Sequence, residues 1–218
     1  VVAYNYSTEP NRSEFPADFG ADISMHGHFS YANLFEGNIV QNIQIDQTWG
    51  PSGPLNTFFR NRAELYGILM TSGTVQSDSI NFVGNEVSNI GPFLGNYSLA
   101  GSGHFEFANN IRGTITPSGT IPLPDTSYYL DSIPDFWTSS IFPTIGDPSP
   151  IGSGSIPAKD RFNSGAHLAP CVENVNTAIA NYFNSQLFHI YPNPFDSEIS
   201  IFSEINKNDR IEISITDI

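Results

Sequence analysis

Arg60 and Arg62, the carboxyl groups of Glu36 and Asp46, and the imidazoles of His26 and His28 are the side chains whose types and spacing could do acid–base or electrostatic chemistry. Abstracting a proton next to a carboxylate needs a base and a cation for the charge that develops. Residues 1–120 contain no Lys, so these groups would come from Arg12, Arg60, Arg62 and Arg112, or from His26, His28 and His104. Hydrolysis would instead need two carboxyl groups about 5 to 9.5 Å apart, for which Glu36, Asp46 and Glu64 are the candidates. His26-Gly27-His28 would place two imidazoles on one side of a strand, as metal ligands or as ordinary loop histidines. Arg62 has a structural alternative as well, because Glu86 lies one repeat further on and stacked strands would bring the two together as an ion pair. Trp49, with Tyr31 and Tyr66, offers aromatic faces for stacking on a sugar or a partner.

Composition narrows the partners. Against 22 Asp plus Glu there are 8 Lys plus Arg, a formal charge of −14, which disfavours nucleic acid and anionic membrane surfaces because both need clustered cations. With 39% apolar and 13% aromatic residues the chain can build a core. Its single cysteine, Cys171, cannot close an internal disulfide, so packing or bound ions must serve instead. No motif specifies a cofactor, and Ca²⁺ is the ion that the acidic composition would suit. No apolar stretch is long enough to form a transmembrane segment. The opening Val1-Val2-Ala3-Tyr4-Asn5 resembles the middle of a strand, and the expectation is that further amino-terminal coils and an export signal precede it.

A repeat underlies the first half. Phe35-Glu36-Gly37-Asn38, Phe58-Phe59-Arg60-Asn61, Phe82-Val83-Gly84-Asn85 and Phe107-Ala108-Asn109-Asn110 align, with Asn spacings of 23, 24 and 25 (61−38, 85−61, 110−85). Val2-Ala3-Tyr4-Asn5 is a weaker copy, set apart by an inserted loop holding Pro10, Pro16 and Gly20. Second apolar runs follow at Ile43-Gln44-Ile45, Gly67-Ile68-Leu69-Met70 and Gly113-Thr114-Ile115. A period near 24 with short strands suits a β-solenoid; an antiparallel sandwich is the alternative. In the solenoid, Phe35, Phe58, Phe82 and Phe107 form one buried column. Asn38, Asn61, Asn85 and Asn110 occupy equivalent left-handed turns and bond from coil to coil.

The run Asp22 to His28, then Asn33 to Asn38, Asp46, Trp49-Gly50 and Asn56 to Arg62 resembles secreted right-handed parallel β-helix proteins of the pectate-lyase-like superfamily. The resemblance covers roughly residues 1–120. It implies an all-β fold and an exported protein that acts on or binds acidic polysaccharide, as a lyase or hydrolase. The alternative is a non-catalytic surface or adhesion solenoid. Arg60, Arg62, Glu36 and Asp46 are then the catalytic candidates, and His26, His28 and Trp49 the substrate-binding ones.

Residues 121–170 are rich in Pro, Gly and aromatics and should cap or wrap the open end of the last coil, unless they are an interdomain linker. Within 171–188, apolar spacing from Val172 to Phe183 predicts a short helix or linker. In 189–218, Tyr191-Pro192-Asn193-Pro194-Phe195 followed by the alternating runs Ile199-Ser200-Ile201 and Ile211 to Asp217 resembles the opening of the carboxy-terminal sorting domain of type IX secretion, a β-sandwich. The resemblance implies recognition by that machinery and a secreted or cell-surface location in a Gram-negative bacterium. The sandwich is expected to be truncated here.

Overall fold

A computed structural model describes residues 1–10, 20–71, 76–148 and 150–165, and the backbone of 188–191 and 200–203. The chain divides into two units, Val1–His167 and Leu168–Ile218. The first is a β-solenoid of about four turns. Strands β1 (Val2–Ala3), β3 (Leu34–Glu36), β5 (Thr57–Phe59), β7 (Asn81–Val83) and β10 (Phe105–Phe107) stack in that order as one parallel sheet, sheet A. The other walls belong to sheet B, made by β2 (Ile23–Gly27), β4 (Ile39–Trp49), β6 (Arg62–Met70), β8 (Glu86–Val87), β9 (Asn96–Ser98), β11 (Asn109–Ile111) and β12 (Thr114–Thr116).

The corner between the sheets is built from two sequence features. The residue before each ladder Asn has positive φ: Tyr4 56°, Gly37 63°, Arg60 50°, Gly84 62° and Ala108 51°. One left-handed residue turns the chain sharply and leaves backbone polar groups buried without strand partners. Asparagine supplies them, having both donors and an acceptor. The Asn61 amide donates to Asn85 Oδ1 at 3.1 Å and to the Phe35 carbonyl at 2.9 Å. Its own Oδ1 accepts from the Asn38 amide at 2.8 Å and the Asn38 backbone N–H at 3.1 Å. The chain of bonds runs from Asn5 through Asn38, Asn61 and Asn85 to Asn109. The left-handed residue is therefore the one preceding each Asn, whereas the repeat alone suggested the Asn itself.

Register corrects the last repeat. Phe35, Phe58 and Phe82 are partners across β3, β5 and β7, and their rings stack at 4.7 and 5.4 Å with near-parallel planes. The next position in the column is Glu106, while Phe107 pairs with Val83. Likewise Asn109, not Asn110, takes the fourth ladder position. The Phe107 and Asn110 alignment is one residue late because the phenyl column ends at Phe82. There Glu106 accepts a hydrogen bond from Tyr97 at 2.8 Å, and Tyr97 packs edge-on against Phe82. Gly113-Thr114-Ile115 is not a coil strand either: β12 folds back antiparallel on β11.

Inside, Ile23, Met25, Ile43, Ile45, Ile68, Met70, Val87 and the phenyl column make one core. A second ladder precedes sheet A, where the Asn33 amide donates to Asn56 Oδ1 at 3.0 Å. One coil later Ile80 N–H donates to His104 Nδ1 at 3.2 Å.

Residues 117–165 form a strap that crosses the coils lengthwise. It lies along the flank, beside the Asn corner. Leaving the last coil, it passes Ala108 at Thr120 and Arg60 at Pro124, meets Glu36 at Ser127 and Tyr128, and reaches Tyr4 at Trp137. It returns with Ile145 bonded to Arg60, Gly146 to Glu86 and Asp147 to Asn110. A third pass brings Ser153 and Gly154 to Arg62 and buries Ile156 and Ile145 against Ile39. It ends in helix α1 (Pro157–Asn163), which the sequence did not suggest. A Cβ on Gly146 would collide with the Gly84 carbonyl, so the strap can approach that point of the corner only through glycine.

In the second unit, β13 (Phe188–Tyr191) and β14 (Ser200–Ser203) pair antiparallel. The helix expected at Val172 to Phe183 and the strand expected at Ile211 to Asp217 lie outside the described residues, as do Arg12, Pro16 and Cys171.

The ladder sets an expected stability order. Asn61→Ala leaves the Asn38 N–H buried without its partner and takes one donor from the Phe35 carbonyl, and should cost about 2–4 kcal/mol, whereas Asn5→Ala at the rim should cost about 1 kcal/mol. Urea unfolding followed by circular dichroism measures both. Equal losses would show that the ladder does not hold the corner.

Candidate functional site

Alternation along β2 buries Ile23 and Met25 and sends Ser24 and His26 outward. Beside it, β4 keeps step through Ile23↔Ile43 and Met25↔Ile45, then gains residues, so that Gly27 comes to pair with Trp49. The irregularity is a bulge over Asp46 to Thr48. Asp46 Oδ1 accepts the Thr48 backbone N–H at 2.9 Å, a local turn of the kind Asp makes readily. Gly27 allows the close approach that follows, because a Cβ there would collide with the Gly50 carbonyl.

The bulge points the Asp46 carboxylate at His26, whose Nδ1 donates to Asp46 Oδ2 at 2.7 Å. The pair is lopsided, with the His26 side chain 54% exposed and that of Asp46 8%. Burial raises the Asp46 pKa, but the Thr48 N–H and the His26 hydrogen bond outweigh it, so the carboxyl titrates below its ordinary 3.8. Trp49 stands edge-on to the imidazole at 6.2 Å between ring centroids and is 64% exposed. Asp46 thus fixes the tautomer and orientation of an imidazole whose Nε2 is the ring's outward polar atom, next to an indole. Such a pair can hold a hydroxyl or carboxylate of a ligand stacked on Trp49.

The remaining candidates are elsewhere. His28 lies beyond the end of β2 with φ 63°, so it does not share the strand face of His26. Arg60 and Arg62 are 5% and 0% exposed. Arg60 donates to the carbonyls of Ile145 at 2.9 Å and Pro124 at 3.1 Å. Arg62 donates to those of Ser153 and Gly154, and its Nε lies 3.2 Å from Glu86, the ion pair that the spacing suggested. Glu36 is buried and accepts from Tyr4, Ser127 and the Tyr128 N–H. Burial, and then the Glu36 hydrogen bond, push the Tyr4 phenol far up and keep it a donor. Glu64 pairs with Lys159.

Among the described residues, the other candidate cations are bonded elsewhere. Arg112 donates to the Ile90 carbonyl at 2.8 Å and pins the loop before β9. His104 uses both ring nitrogens, Nδ1 for Ile80 and Nε2 for the Ala100 carbonyl at 3.0 Å. Tyr31 is exposed and Tyr66 half-buried.

Sequence reasoning missed two things here. The bulge that joins Asp46 to His26 had no signal beyond the neighbouring Trp49-Gly50 turn. The partners of Glu36 and Arg62 in the strap, Ser127 and Ser153-Gly154, lie 91 to 92 residues downstream with no pattern to link them. Among the described residues, no group of three or more His, Cys, Asp or Glu side chains could hold a metal ion, and no helix is long and apolar enough to cross a membrane. Compared with known proteins, the chain matches no family model, no curated protein and no solved structure.

The depressed Asp46 pKa has a pH consequence. A carboxyl whose folded pKa lies below its unfolded value adds stability above about pH 4 and loses it as the pH falls through the folded value. The wild type should therefore lose more stability than Asp46→Asn between pH 5 and pH 2, measured by urea unfolding at each pH. Parallel curves would deny the carboxylate its role.

Proposed function

We propose that this chain belongs to an exported, surface-held β-helix protein that binds polysaccharide without cleaving it. The observation that carries the proposal is the His26–Asp46 pair beside exposed Trp49 on an outward sheet face, an oriented polar group next to an aromatic platform. Binding is favoured over catalysis because Arg60, Arg62 and Glu36 are buried and bonded to the strap. An acidic chain would be met by the His26 imidazole while one of its sugar rings stacks on Trp49. Within the solenoids, kinship with right-handed helices of the pectate-lyase-like superfamily is supported by the Asn ladder and by the short strands between tight corners. Export through type IX secretion is supported by the Tyr191-Pro192-Asn193-Pro194-Phe195 run and the antiparallel pair that flanks it.

Calorimetric titration with hexagalacturonate and with alginate oligosaccharides tests the binding. Trp49→Ala should weaken it about tenfold or more, that is by at least about 1.4 kcal/mol. Arg62→Ala should leave affinity unchanged while costing about 3–5 kcal/mol of stability, since it strands buried Glu86. A cleaved product, or affinity lost with Arg62 in protein that remains folded, would restore the enzymatic alternative.

Export has its own test. A periplasmic reporter joined to the complete carboxy-terminal domain of the parent protein should reach the surface of a host competent in type IX secretion. Retention in the periplasm would remove that assignment.

A further inference from the structure

Sheet A carries a second surface, separate from the His26 patch on sheet B. Its outward column Leu34, Thr57, Asn81 and Phe105 places one side chain on each of four successive coils, because these residues are register partners. They floor an open groove of about 450 Å³, walled by Leu55 on one side and by Tyr128 of the strap on the other. Tyr128 is fixed there by stacking on Phe59 at 4.2 Å and by its N–H bond to Glu36. At the strand spacing of about 4.8 Å, four rungs run about 14 Å along the axis, the length of a short oligosaccharide.

Two features define the ligand. None of the lining residues is charged, although the chain as a whole carries −14. The polar groups in the groove are also held in place: Asn81 donates to Thr57 Oγ1 at 3.0 Å and Asn33 donates to Asn56 Oδ1 at 3.0 Å. Each amide is thereby oriented, with its carbonyl oxygen as a fixed acceptor. Hydroxyl groups suit oriented amides, and the apolar faces of sugar rings suit Leu34, Leu55, Phe105 and Tyr128. An extended peptide would need an unpaired strand edge, but this surface is a sheet face whose interior strands are already paired on both sides.

We infer that the groove across sheet A binds a neutral glycan lying along the solenoid axis, independently of the His26 patch.

The test is calorimetric titration of the whole chain with cellohexaose, laminarihexaose, xylohexaose and mannohexaose, with hexagalacturonate as the charged control. At least one neutral hexaose should bind. Phe105→Ala and Asn81→Leu should each weaken that binding tenfold or more with the melting temperature kept, whereas Trp49→Ala should not change it. Thr57→Val, which keeps the side-chain shape, serves if either of the first two fails to fold. Absence of binding by every neutral hexaose, or binding untouched by the groove variants, would overturn the inference. So would self-association abolished by Phe105→Ala in sedimentation, which would give the groove to a second copy of the chain. Hexagalacturonate binding that depends on Trp49, with no neutral hexaose bound, would leave the earlier proposal standing while this one falls.

Discussion

A buried asparagine that donates twice and accepts twice is the interaction on which the remainder of this molecule depends. Turning the chain with one left-handed residue per coil leaves the backbone N–H of each ladder Asn in the interior, and leaving it unsatisfied would cost about 1–3 kcal/mol at every corner. The amide of each Asn serves the coils on either side, so the solution propagates: Asn38, Asn61 and Asn85 each satisfy one neighbour and are satisfied by the next. Once the corners are locked, the 23- to 24-residue period and the stacking of Phe35, Phe58 and Phe82 follow from the same alignment.

That alignment also gathers charge. Glu36, the pair Arg60 and Arg62, and Glu86 come from three successive coils yet lie along one flank of the corner, all of them buried. Exposed Arg side chains on a strand would be available to an acidic ligand; these are not, because the strap gives them carbonyls and donates N–H bonds from its own glycines to Glu86. Buried ions need such partners, since desolvation is not recovered from a single opposite charge. The composition of the strap suits this contact with the flank. Gly146 lets its backbone approach Gly84 closely, and Tyr128, Trp137 and Phe162 cover Phe59, Tyr4 and Tyr6.

The solenoid was legible in the sequence because a repeat writes the same chemistry at a fixed interval. Asn38, Asn61 and Asn85 were identified with their coil-to-coil bonding, and Arg62 with its Glu86 partner, since both relations are one period long. The reading slipped where the period was disturbed. Glu106 replaces an aromatic, so Phe107 drew the alignment one residue late. The ladder of Asn33 and Asn56 also lay at the period but was not recognised as one, because Ile80 and His104 take the next two positions in place of Asn. The candidate site was less legible still. Type and spacing nominated His26, Asp46 and Trp49 together with Arg60, Arg62 and Glu36, and only the bulge in β4 and the path of the strap separate the exposed set from the buried one.

The lengthwise course of the strap changes how the molecule can come apart. Coils of a solenoid touch only their neighbours, and on their own they could fray from either end one at a time. Here bonds joining Arg60 to Ile145 and Arg62 to Gly154 span 85 and 92 residues, and the same strap also reaches Tyr4 in the first coil and Asn110 in the last. Contacts of such high sequence separation raise contact order and couple distant coils into one cooperative unit. During synthesis the flank must wait, with its arginines and glutamates still hydrated, until the whole solenoid and the strap that follows it have left the ribosome. Its closure is then the event that converts a stack of separable coils into a single folding body.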